Sequence, residues 1–201
     1  YKMASTIKVD TIDTPSGSGN ITLNRPLSGS GASLTNLPAT ALTSGIAVTA
    51  NGEVTMSSQP AFSVKLDAAD QNNIAVGSDV TVLFDSEVFD VNADFNTGTY
   101  TFTAPVTGKY QLNANVQLED VDAGNTEFFA MWIITSNRTY SNYFDPQQQF
   151  NADCYYFNLN LSVLADMDAG DTARIDIKQH NGTSQTDLDA NWTSFSGYLA
   201  C

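Results

Sequence analysis

The stretch that most constrains this chain is an uninterrupted alternation. Tyr110, Leu112, Ala114, Val116 and Leu118 interleave with Gln111, Asn113, Asn115 and Gln117. Successive side chains of a strand point to opposite faces, so this is a strand with one buried face and one amide face. The residues before it prepare the entry. Thr99–Thr103 is built from Thr, Tyr and Phe, which suit a half-buried pleated surface. Pro105 cannot donate to a ladder, and Gly108 suits the turn into Tyr110. A one-sided strand of this length needs neighbours at its edges and a second layer over its apolar face.

The pattern recurs. Phe157, Leu159, Leu161 and Val163 oppose Asn158, Asn160 and Ser162, while Ala173, Ile175 and Ile177 oppose Arg174, Asp176 and Lys178. Further strands are predicted at Ala61–Leu66, Val80–Phe84, Glu87–Phe89, Glu127–Ser136, Cys154–Leu164, Thr172–Lys178 and Trp192–Ala200. Turn residues punctuate them, and no segment keeps a helical period over about 10 residues. Short, evenly spaced strands of this kind make an all-β sandwich or jelly roll.

Charge marks an internal boundary. Up to Gln59 acids and bases balance, whereas from Pro60 onward five bases face nineteen acids, and the whole net charge of −14 sits there. Such a surface repels nucleic acid and anionic membranes. No apolar run approaches the about 20 residues of a membrane span, and no signal peptide is visible. The 201 residues allow one substantial domain and a smaller unit. Cys154 and Cys201 read as two free thiols rather than a disulfide framework.

The first part is organised differently. Met3 looks like the natural start, and Ser, Gly and Thr then surround spaced apolar residues: Ile7, Val9, Ile12, Ile21, Leu23, Leu34 and Leu37. Alone, residues 1–45 cannot bury enough surface to offset their ordering entropy. They read either as a flexible linker or as an arm that docks on a large partner through those pegs. Ile46–Thr49 and Glu53–Met56 flank Asn51-Gly52, a hairpin signal. Residues 46–59 are therefore a hairpin collar, and 60–201 the head.

The head resembles the C1q-like domain, the complement recognition head related to tumour necrosis factor. The matching residues run in order: Pro60-Ala61-Phe62-Ser63, then Val82-Leu83-Phe84-Asp85, then Phe95-Asn96 with Gly98 through Val106 and Gly108-Lys109-Tyr110. Leu164 with Ala169-Gly170-Asp171 and Ser194-Phe195-Ser196-Gly197-Tyr198-Leu199 complete the series. The resemblance implies a jelly roll assembling as a homotrimer, with a core motif of Phe62, Phe84, Tyr100, Phe102, Tyr110, Phe195 and Gly197. It also implies binding rather than catalysis, with calcium held near the axis in some members; no collagen repeat is present. The arm is similar in style to the start of bacteriophage tail-fibre and other virion structural proteins, through Met3–Ile12, Pro15-Ser16-Gly17, Gly19–Thr22 and Gly31–Pro38.

Candidate chemistry is sparse. Asp166, Asp168 and Asp171 share one turn and could supply oxygens to Ca²⁺, or form only a solvated acidic turn. Glu119, Asp120 and Asp122 form a second such group, and Asp67–Asp79 an acidic loop. No cofactor is required. His180, the only histidine, reads as a turn residue. Paired carboxylates can be drawn among the acids of almost any fold, so no catalytic residue is assigned. The ligand-contact candidate is the connection Arg138–Phe150, through Arg138, Tyr140, Asn142, Tyr143 and Gln147, with packing of Tyr143, Phe144 and Phe150 onto the head as the alternative. The expectation is a non-enzymatic virion protein on the phage particle surface. Its arm would dock on capsid or tail proteins and its trimeric head on a host-surface glycan or protein. The alternative is a capsid decoration protein that stabilises the shell.

Overall fold

In the computed structural model, residues 46–48, 51–67 and 69–201 are described, all within one compact unit, Leu42–Cys201. The expected arm, with Ile7, Val9, Ile12, Ile21, Leu23, Leu34 and Leu37, lies outside the described residues. The chain forms β1 (Ile46–Val48), β2 (Val54–Met56), β3 (Ala61–Lys65), β4 (Val80–Thr81), β5 (Ser86–Asp90), β6 (Phe95–Asn96) and β7 (Thr101–Thr103). It continues with β8 (Gly108–Val121), β9 (Phe128–Thr135), β10 (Thr139–Phe144), the helical turn α1 (Pro146–Gln149) and β11 (Cys154–Met167). The last strands are β12 (Thr172–His180), β13 (Asp187–Leu188) and β14 (Ser194–Leu199).

Every pairing is antiparallel. One sheet runs β11-β8-β14-β3-β5 with β13 on β8; the other runs β10-β9-β12-β7-β6 with β4 on β12. First and last strands of the head, β3 and β14, are neighbours. This is the expected all-β jelly-roll sandwich. The hairpin forms as a separate pair, β1 on β2, with Gly52 at a φ of +85° in the connecting turn.

The core is where the alternation placed it. Tyr110, Leu112, Ala114, Val116 and Leu118 are buried between the sheets. Phe62 stacks on Phe102 at 4.5 Å and meets Phe195 edge-on at 5.0 Å, while the Tyr110 hydroxyl donates to the Val106 carbonyl at 2.8 Å. Phe84 is also fully buried. Gly197 sits opposite Leu112 on one side and Phe62 on the other; a Cβ there would lie 2.7 Å from each side chain. Glycine is therefore the residue that allows both neighbours to fill the core.

Tyr100 departs from expectation. It lies half-buried in the turn before β7, at a φ of +58°, so the strand begins at Thr101 rather than Thr99. Val80–Phe84 also shortens to the two residues of β4, although Val82 and Phe84 remain core. Conversely β8, β11 and β12 run longer than predicted, because their long ladders continue past the apolar alternation.

Candidate functional site

The segment expected to be a recognition loop is largely regular structure. Thr139–Phe144 pairs along β9 as an edge strand, and Asp145 caps α1 by accepting from the Gln148 N–H, with Pro146 at its start. The pleat divides the candidates. Tyr140 and Asn142 lie opposite Ile133 and Met131, on the inward face, where Asn142 donates to the Asn160 carbonyl at 3.0 Å and ties the edge to the other sheet. Tyr143 faces outward and is 60% exposed. Arg138, in the β9–β10 turn, lies 5.4 Å from the Tyr140 ring centroid, and Gln147 is exposed on α1. Phe144 stacks on Phe157 at 3.8 Å and Phe150 joins them. The packing alternative therefore describes Phe144 and Phe150 but not Tyr143.

The acidic turn does not fit a calcium site. Asp166 pairs with Lys109 at 2.5 Å, and Asp168 accepts weakly from the Thr107 hydroxyl. Asp171 accepts from the Asn137 amide at 2.6 Å and the Asp168 N–H at 2.8 Å. The three carboxylates have separate partners, and among the described residues no three metal-ligating side chains gather. The second group also disperses. A φ of +54° at Asp120 breaks the alternation between Glu119 and Asp122. Burial works to raise the Asp122 pKa, but donors from Asn125, Thr183 and Ser184 outweigh it and hold the group at about 2. Glu119 moves oppositely: burial first, then the carboxyls of Asp189 and Asp70, push it up to about 6. His180 ends β12, stacked on Phe128 at 4.6 Å with Nε2 3.5 Å from Glu127.

The two sheets turn different chemistry outward. Across β11, β8 and β14 the register sets Leu164, Gln111 and Tyr198 in one row, Ser162, Asn113 and Ser196 in the next, and Asn160, Asn115 and Ser194 in the third. Between the Lys109–Asp166 pair and Glu119, these three strands carry no charged residue on this face. Its polar groups bond one another: Gln111 donates to Ser162 at 2.9 Å and Ser162 to Asn113 at 2.8 Å. Leu164 and Tyr198 remain 57% and 49% exposed.

The outward face of β10, β9 and β12 is aromatic and charged. Tyr143 lies opposite Ala130, Ser141 opposite Trp132, and across the other edge of β9 come Arg174, Asp176, Lys178 and His180. Tyr143 is 5.5 Å from Phe128 and 6.2 Å from Trp132. Sequence reading found Tyr143 but not Trp132 or Phe128; the signal was present as the second set of positions along Phe128–Ile134.

The family model described as C1q domain matches residues 61–200. Among solved structures, the globular domain of zebrafish complement 1qA protein is 20% identical, with a TM-score of 0.54 over 71% of this chain and 98% of that one. The Eiger TNF of S. frugiperda is 8% identical, with a TM-score of 0.54 over 71% and 94%. Murine APRIL at pH 8.0 is 12% identical, with a TM-score of 0.51 over 70% and 98%. At these identities the likeness is one of fold. No curated protein matches the chain by sequence.

Proposed function

The chain belongs to the C1q domain family, and from that premise we propose that it is a non-enzymatic, homotrimeric bacteriophage virion protein. Its arm docks on capsid or tail proteins and its head adheres to the host surface. One observation carries the trimer. In a head with nineteen acids and five bases, the β11-β8-β14 face has no charge across its middle and exposes Leu164 and Tyr198 beside self-satisfied amides. Like-charged copies can meet there without the repulsion their remaining surfaces impose. The virion setting rests on the arm's resemblance to phage structural proteins, carried by Met3–Ile12 and Gly31–Pro38.

The test is the mass in solution of the full chain and of residues 60–201. Trimers in both support the reading; a monomeric head overturns it. Deleting Pro60–Cys201 should then abolish infectivity while leaving particles intact. If instead deleting Met3–Thr43 breaks the particles and a headless form still protects them, the protein is a shell-stabilising decoration protein.

A further inference from the structure

We propose that the outward face of β10, β9 and β12 is a platform for neutral saccharides, formed by the rings of Tyr143, Trp132 and Phe128; this rests on the adhesive reading of the head. Tyr143 is paired across the ladder with Ala130, which is small and fully covered. Phe128 stands 5.5 Å to one side of it, and Trp132, perpendicular at 88°, 6.2 Å to the other. The His180 imidazole stacks on Phe128 and extends the row. Tyr143 is exposed, and Phe128 and Trp132 beside it are half-buried on the same open side of the sheet, so apolar carbon is left in water, which favours a ligand offering apolar area in return. A pyranose ring does this: one face is C–H, and its rim is hydroxyl. The aromatic carbon would take the face and fixed polar groups the rim, the usual division of labour in a ligand site.

Those polar groups are present and held rigidly. Arg174 donates through Nε and Nη2 to the two oxygens of Asp176, each at 3.0 Å, and Asp176 also accepts from the Thr81 hydroxyl at 2.9 Å. Two of the five guanidinium N–H groups are thereby used to fix the fork, and the half-exposed side chain keeps three more donors to offer to hydroxyl acceptors. Ser141 and the Tyr143 hydroxyl add groups able to donate and accept.

Charge selects a neutral sugar. Arg174 is matched by Asp176, and Lys178 by Asp79 at 2.9 Å. An acidic saccharide would therefore meet bases already neutralised, inside the field of a strongly acidic head. A neutral saccharide meets neither the repulsion nor the competition.

The test uses the full chain carrying Trp192→Phe, which leaves Trp132 as its only tryptophan. Its fluorescence is titrated with methyl glucoside, methyl galactoside, methyl mannoside and chitotriose, and its binding to a panel of bacterial strains is measured before and after periodate oxidation of their surface glycans. A saturable change with a neutral sugar is expected. Tyr143→Ala should weaken it by about tenfold at unchanged thermal midpoint and mass, and Arg174→Lys, which keeps a charge beside the buried Asp176 but loses the planar fork, should weaken it with the aromatic rings in place. Binding to cells that survives periodate and both substitutions overturns the platform and leaves adhesion standing. Tighter binding to an acidic than to a neutral polysaccharide also overturns it. No binding to cells or sugars removes both the platform and the adhesive reading.

Discussion

The two outward faces of the sandwich share one core and have opposite surfaces. Along the middle of β8 and β11, from Gln111 to Gln117 and from Asn158 to Ser162, residues between those facing the core are Asn, Gln and Ser, all uncharged, with Gln111, Ser162 and Asn113 bonded to one another. On β9, β10 and β12 the equivalent positions hold Phe128, Trp132, Tyr143 and three ionised residues of β12 in local pairs. The lesson is that the head's net charge is not a property of every surface. Each sheet has cleared or balanced its charge in a different manner, which suits one face to a copy of itself and the other to a polar ligand.

The comparison breaks most visibly if charge is moved onto the wrong face. Ser196→Asp, in the middle row of the amide face, places a carboxylate at each subunit contact of the proposed trimer. Light scattering should report monomers, whereas Ser141→Asp on the aromatic face should leave the mass unchanged. Equal behaviour of the two variants would remove the assignment of faces. Gly197→Ala attacks what the faces share. Its methyl group would sit 2.7 Å from both Leu112 and Phe62, an overpacking that should cost about 2 to 3 kcal/mol in denaturant unfolding.

A smaller effect sharpens the comparison through pH. Glu119 keeps its proton in the folded head up to about 6, against an ordinary value of 4.5. Folded protein thus binds more protons between these values, and stability falls as pH rises through that window. Asp122 is held at about 2 against 3.8, so its contribution is full above 3.8 and is lost as pH falls toward 2. In calorimetry Glu119→Gln should flatten the dependence of the thermal midpoint on pH between 4.5 and about 6, and Asp122→Asn that between 3.8 and about 2. A Glu119→Gln curve parallel to that of the parent protein through its window would contradict the assignment. Smallest of all is chelation. With Asp166, Asp168 and Asp171 already engaged, EDTA should leave the midpoint unchanged, and a fall would restore calcium to that turn.

How much of this was legible follows from period and distance along the chain. The Tyr110–Leu118 alternation announced the buried side of β8 because a central strand needs an unbroken apolar set. Phe62, Phe102 and Phe195 were legible through the ordered family motifs. The edge strand β10 was not: its inward positions include Tyr140 and Asn142, which an edge can satisfy with a hydroxyl or a bond to Asn160, so no apolar period betrays it. Tyr100 misled because its residue type suits a strand while its backbone turns with positive φ. The aromatic platform was hidden for another reason. Phe128, Tyr143 and His180 come from three strands, and only the register of those strands makes them neighbours.

The pleat of β9 has a consequence for how such a head diverges. Met131 and Ile133 are locked into the interior, while Trp132 and Ile134, at the alternate positions, are half-buried on the outer face. Lineages can therefore replace Phe128, Trp132 and Ile134 along this strand, trading one surface specificity for another, while inheriting the interior and the covered Ala130 unchanged. Comparing many descendants should reveal variation that skips by twos on β9 and β10 and stillness on the amide side of β8.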